Sequence, residues 1–141
     1  MKRITVSALA LIAILGCKND SPDAQIKKAF DSSVKGIESS DPGSAVEALS
    51  PDFAGPENMN RDEAKLYLMG LLNQGKIGIT VVSSRLEVKG SRADQGVELV
   101  VTSRGDGSVL PQDATHRQFQ LRWEEQDGHW RLKELQETGA R

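Results

Sequence analysis

Apolar positions recur at helical spacing early in the chain. Ile26, Phe30, Val34 and Ile37 stand at i, i+4, i+8 and i+11, a stripe that marks one buried helix face. Lys27, Lys28, Asp31 and Lys35 take the other side. Ser21-Pro22-Asp23 supplies the start, with Ser21 as N-cap and Pro22 at the first helical position. Asp41-Pro42-Gly43 ends this helix, and the spacing predicts a short second helix over 44–49, with Ala45, Ala48 and Leu49 inward and Pro51 as its stop. A loop is expected next. Asn60 to Glu63 is a capping-box signature for a third helix, whose stripe is Ala64, Tyr67, Leu68, Leu71 and Leu72 and whose end is capped by Gly75.

After Gly75 the period falls to two. Ile77, Ile79 and Val81 alternate with smaller or polar residues, as do Leu86 and Val88, and the pattern returns at Val97, Leu99 and Val101 beyond a Gly-bearing connection at 90–96. A long Gly, Asp and Pro-containing loop is expected over 104–115, followed by a strand in which Phe119, Leu121 and Trp123 alternate with polar residues. Asp127-Gly128 is a two-residue hairpin turn, and Trp130 and Leu132 continue on its far side. That turn sets Trp123 opposite Leu132, Glu124 opposite Arg131 and Leu121 opposite Glu134. The third pairing puts a carboxylate on the inner face; a bulge near the strand end would instead turn Leu135 inward and Glu134 out to water. Three helices followed by an antiparallel sheet of about four strands make an α+β fold in which the sheet wraps the helices.

The N-terminus carries a different signal. Lys2 and Arg3 precede a 12-residue apolar run from Ile4 to Leu15, then Gly16 and Cys17, the only cysteine. As a helix the run rises about 18 Å, short of the roughly 30 Å hydrocarbon layer, so it reads as an export signal and not a span. Ile14-Leu15-Gly16-Cys17 resembles the lipobox of bacterial lipoproteins, in which the cysteine is acylated with fatty chains such as palmitate and becomes the new N-terminus. Leu15 is bulkier than the small residue usual there. The resemblance implies a signal peptide over 1–16, a lipidated tether over 17–21, one domain over 22–137 and a C-terminal tail over 138–141. Acyl chains contribute about 0.8 kcal/mol per buried methylene, so the folded part needs no membrane-binding surface of its own. The tether reaches only about 10 to 15 Å. Lys18 stands where an inner-membrane retention Asp would sit, so the resemblance implies an outer-membrane protein facing the periplasm.

Removing residues 1–16 leaves 125 residues with 16 basic and 20 acidic side chains. The signs are interspersed and there is no basic block, which excludes nucleic acid as the expected partner. One cysteine allows no intramolecular disulfide, so stability must come from a packed core.

The element order, with Ala48-Leu49-Ser50-Pro51-Asp52-Phe53 after the second helix and Asp127-Gly128-His129-Trp130-Arg131-Leu132 near the end, resembles the nuclear transport factor 2-like superfamily of cystatin-like cones. The resemblance implies a pocket between the concave sheet and the helices, lined here by Tyr67, Phe119, Trp123, Trp130 and Glu134. The competing reading makes all but Glu134 simple core. Ketosteroid isomerases of this superfamily use a tyrosine and a protonated acid. No motif aligns Tyr67 or an acid with those positions, so no catalytic residue is assigned. His116 and His129 are expected to be solvated, and their spacing matches no ligand pattern, so neither metal nor cofactor is expected. Arg104-Gly105-Asp106 is read as an exposed turn, Gly105 to Gly107 lacks a phosphate-loop pattern, and Glu124, Glu125 and Asp127 are read as the solvated end of a hairpin. The expected function is a non-enzymatic envelope lipoprotein that binds a protein partner or a small apolar ligand, as an adaptor or an inhibitor or immunity protein. The alternative is a small pocket enzyme of isomerase, dehydratase or hydrolase type.

Overall fold

The computed structural model describes residues 20–104 and 113–140. Residues 1–19, which hold the predicted export signal, Cys17 and most of the predicted tether, lie outside the described residues, as do 105–112, with Gly105 to Gly107, and Arg141.

Helix α1 spans Pro22–Glu38, and the Ser21 hydroxyl accepts from the Ala24 N–H at 3.2 Å, satisfying one of the orphan donors of the first turn. Its stripe is turned to the sheet, with Ile26 fully buried. Gly36 lets the second helix come close: a Cβ there would lie 2.5 Å from the Ala45 nitrogen. That helix, α2, spans only Pro42–Val46, capped by the Asp41 carboxylate, which accepts from the Ser44 N–H at 3.2 Å and its hydroxyl at 2.6 Å.

The predicted continuation to residue 49 and the loop beyond it are both corrected. Leu49–Ala54 is a strand, β1, paired in parallel with the last strand, and the Leu132 N–H donates to the Ala48 carbonyl at 2.8 Å. Leu49 and Phe53 are four residues apart, which reads as helical, but an edge strand with a register shift tolerates both that spacing and Pro51. A 3₁₀ turn over Pro56–Asn58 leads to α3, Arg61–Asn73, where the capping box is complete: the Glu63 N–H donates to Asn60 Oδ1 and the Asn60 N–H to Glu63 Oε2, each at 2.9 Å.

The remaining strands are β2 (Lys76–Lys89), β3 (Arg92–Arg104), β4 (Asp113–Gln126) and β5 (His129–Ala140), and the order in the sheet is β1-β5-β4-β3-β2. The sheet therefore has five strands, one more than predicted. The connection predicted over 90–96 shrinks to Gly90-Ser91, since Lys89 pairs with Arg92. The 104–115 loop loses both ends to β3 and β4, and three of the four residues expected as a tail extend β5. Asp127 (φ 51°) and Gly128 (φ 79°) form the left-handed pair that a tight hairpin requires.

Bulges explain where the period slips. Val81 faces Leu99 and Ser83 faces Glu98, leaving Val82 as an extra residue. The extra residue moves the inward set of β2 from odd numbers (Ile77, Ile79) to even ones (Leu86, Val88). In β5, Trp123 faces Leu132 while Arg122 faces Glu134, so Lys133 is the extra residue and Leu135 comes opposite Leu121. The core lies between α1, α2 and the concave face, with Trp123 1 % exposed and Leu49, Phe53, Val97, Leu121, Trp130 and Leu132 around it.

Candidate functional site

Of the five residues predicted to line a pocket, two are core. Trp123 and Trp130 both belong to the central cluster, and Phe119 packs against its edge, half-buried. The Trp123 indole N–H donates to Gln95 Oε1 at 2.9 Å, and the Gln95 amide donates to Ser84 Oγ at 3.0 Å. Gln95 is 3 % exposed, so this short chain satisfies the polar atoms that the concave face would otherwise strand.

Tyr67 and Glu134 are elsewhere. Tyr67 is 56 % exposed on α3, at the flank of the stripe formed by Ala64 and Leu68, which touch the core. Glu134 follows the Lys133 bulge onto the convex face, where Arg122 Nη1 lies 3.5 Å from its carboxylate and Arg122 Nε 3.7 Å from Asp94. The same face carries Ser83, Glu98 and His116 in a line, the Ser83 hydroxyl donating to Glu98 at 3.2 Å and His116 paired with the other Glu98 oxygen. The structure thus resolves the two sequence readings of Glu134 in favour of the outward one. The second predicted histidine, His129, is exposed beside the β4–β5 turn.

One polar cluster was not anticipated. The Ser50 hydroxyl donates to Asp52, receives a hydrogen bond from the Gln126 amide at 3.0 Å, and Asp52 pairs with the Lys133 ammonium. The Lys133 contact, followed by the Ser50 hydroxyl, lowers the Asp52 carboxyl from 3.8 to about 2. Serine, carboxylate and lysine side by side suggest a nucleophile with its base, yet Ser50 is 0 % exposed and no substrate reaches it. The cluster ties β1 to β4 and β5. Its signal in the sequence is the step from even Leu132 to odd Leu135, which demands an extra residue between them.

Two hollows open on the surface. One, of about 360 Å³, lies along α1 between Lys27, Lys28 and Lys35, with Asp31 paired to Lys27 at 2.6 Å. The other, of about 460 Å³, separates α1 from Glu47, His129 and Arg131, and the Arg131 guanidinium donates to the Glu47 carbonyl at 2.9 Å on its wall. Among the described residues no group of His, Cys, Asp and Glu is arranged to hold a metal ion, and no helix is long and apolar enough to cross a membrane.

The more distinctive surface is apolar. The exposed large hydrophobic side chains among the described residues are Leu66 (66 %), Tyr67 and Met69 on α3, and Val81 and Val82 (54 %) at the β2 bulge. Only Gln74 and Gly75 separate these two elements.

Comparison with known protein families and with curated proteins returns no match. Solved structures do match in fold. A putative scytalone dehydratase from Novosphingobium aromaticivorans superposes with a TM-score of 0.71 at 16 % identity, over 84 % of this chain and 85 % of that one. An uncharacterised protein with a cystatin-like fold from Caulobacter vibrioides gives 0.68 at 16 %, over 82 % and 87 %. The hexachlorocyclohexane dehydrochlorinase LinA-type3 from Novosphingobium barchaimii gives 0.67 at 14 %, over 84 % and 88 %. The chain therefore has the cystatin-like, nuclear transport factor 2-like α+β fold, and at such identities the likeness speaks to fold alone.

Proposed function

We propose that this chain is a lipid-anchored protein of the bacterial envelope, held through Cys17, that binds a protein partner through the apolar surface of α3 and the β2 bulge. The carrying observation is the placement of its exposed hydrophobic side chains. Leu66, Tyr67, Met69, Val81 and Val82 fall in two consecutive elements, while Trp123, Trp130 and Leu132 occupy the centre of the concave face. Exposed large apolar side chains concentrated in two consecutive elements support an interaction site there, and a tyrosine among them supplies the rigid, amphipathic contact common at interface hot spots. Export and lipidation rest on the sequence: Lys2, Arg3, the apolar run and Gly16-Cys17.

The test is a pull-down from detergent-solubilised envelopes with the lipidated chain as bait. A specific partner is expected with the parent and is expected to be lost with Leu66→Glu/Tyr67→Glu, whose circular dichroism should match the parent because neither side chain is in the core. Equal recovery by both baits would remove this surface from the account.

The second reading, a small pocket enzyme, draws on the names of two fold neighbours, a putative dehydratase and a dehydrochlorinase. Both names denote eliminations, which call for a base beside the substrate. On this reading the base is Glu137, opposite Phe119 on β4 and with Arg117 3.3 Å from its carboxylate. Turnover of an elimination substrate that disappears in Glu137→Gln would favour this reading over the first.

A further inference from the structure

We propose that the second half of β2 is a self-pairing edge, which joins two copies of this chain about a two-fold axis through Leu86. β2 is the outer strand on its side of the sheet. Its first half is guarded, because the Glu38 carboxylate accepts the Ile79 N–H at 3.4 Å and the Val82 bulge distorts the ladder. From Ser83 to Lys89 the register with β3 is regular again.

The backbone of this segment is oriented for pairing. Lys89 and Arg92 flank a two-residue turn and so exchange its closing hydrogen bonds with each other. Alternation then turns the N–H and C=O of Val88, Leu86 and Ser84 away from β3, toward the open side. An antiparallel copy centred on Leu86 bonds Leu86 to Leu86, Ser84 to Val88 and Val88 to Ser84, and the pairing runs from bulge to turn in both chains.

Side chains select that register. Arg85 and Glu87 point to the convex face, both exposed, and centring on Leu86 sets each Arg85 against Glu87 of the second copy. Within one chain Glu87 faces Asp94 on β3, a like-charge neighbour offset by Lys89 at 3.6 Å from Glu87 and by Arg122 at 3.7 Å from Asp94, and a guanidinium from outside adds to that offset on the Glu87 side. Centring on Arg85 would oppose two arginines, and centring on Glu87 would oppose two glutamates and set Arg85 against Lys89. Opposed like charges disfavour those registers, and centring on Ser84 or Val88 would pair only three residues of the regular segment 83–89, so the register at Leu86, which pairs all seven, is selected. The interface is isologous, as closed dimers require.

Such an axis runs perpendicular to the sheet, so the helical faces of both copies lie on the same side. Two tethers beginning ahead of α1 then leave from one side of the dimer, and anchoring in one bilayer raises the effective concentration of the edges. The pairing itself does not depend on the anchor.

Sedimentation equilibrium of the full chain in density-matched detergent tests the proposal. The parent should be a monomer–dimer equilibrium at concentrations up to about 100 μM. Arg85→Glu and Glu87→Arg should each weaken the dimer about tenfold or more, and the double exchange Arg85→Glu/Glu87→Arg should restore it. A parent that stays monomeric, single variants that dimerise as the parent does, or a double variant that fails to recover would each overturn it. Circular dichroism on every variant separates loss of pairing from loss of fold.

Discussion

Asp52 shows what a single residue reports. Its carboxyl is held well below the usual range by the Lys133 ammonium and then by the Ser50 hydroxyl, at about 2 against 3.8. A depressed carboxyl contributes stability in full above its unfolded value, and the contribution is lost as pH falls through the folded one. Between about pH 4 and about pH 2 the unfolded chain binds the extra proton, so stability falls with pH there. Asp52→Asn should lower stability at neutral pH and flatten the stability curve in that window, as read by urea unfolding at a series of pH values. The side chain is 65 % exposed, so water screens the effect and it should be modest. Parallel curves for parent and variant would show that the clamp carries no proton linkage. At the same scale, Glu134 and Tyr67 show the limits of reading single side chains. Both were placed in a pocket by strand parity and helix stripe. Lys133 reversed the parity for Glu134, and the shallow seating of α3, which fully buries no residue, left Tyr67 outside.

At the scale of elements, capping and turn chemistry were legible because they are local. Ser21, the Asn60–Glu63 box and Asp127-Gly128 act through neighbours one to three residues away. β1 was not legible: its six residues contain Pro51 and show no alternation, and it is a strand only because β5 lies alongside it. Bulges were half legible. The switch from odd Ile79 to even Leu86, and from even Leu132 to odd Leu135, is visible in the sequence, but the extra residue in each is fixed by the partner strand. The contact of α1 with α2 gives an element-scale prediction. Gly36 is buried, and a Cβ there would meet the Ala45 nitrogen at 2.5 Å and its Cα at 2.9 Å, backbone atoms that cannot turn aside. Gly36→Val should destabilise the fold by about 2 kcal/mol or more, through overpacking. Gly43→Ala serves as control, since its nearest neighbour is the Asp41 carboxylate at 3.5 Å. Thermal unfolding of the two variants checks this, and equal midpoints would mean that the helices part easily.

For the whole molecule, the fold was readable from the order of its elements and the change of period at Gly75, and the structure confirms an α+β cone with one strand more than predicted. Its neighbours in structure include proteins named for eliminations and proteins without an assigned role, so the architecture alone does not choose between binding and catalysis. What distinguishes this chain is the combination proposed above: an acylated Cys17 a few residues ahead of α1, and a body whose concave centre is packed while Leu66, Tyr67 and Met69 on α3 and Val81 and Val82 on β2 are exposed. Anchoring turns partner capture into a two-dimensional encounter, and a short tether confines it to the membrane surface. The anchor is therefore the claim on which the rest depends. Intact mass spectrometry of the chain purified from bacterial membranes tests it most directly. The account predicts a product that has lost residues 1–16 and carries fatty acyl groups on a modified Cys17 at its new N-terminus; a chain retaining Met1 with a free Cys17 thiol would contradict it.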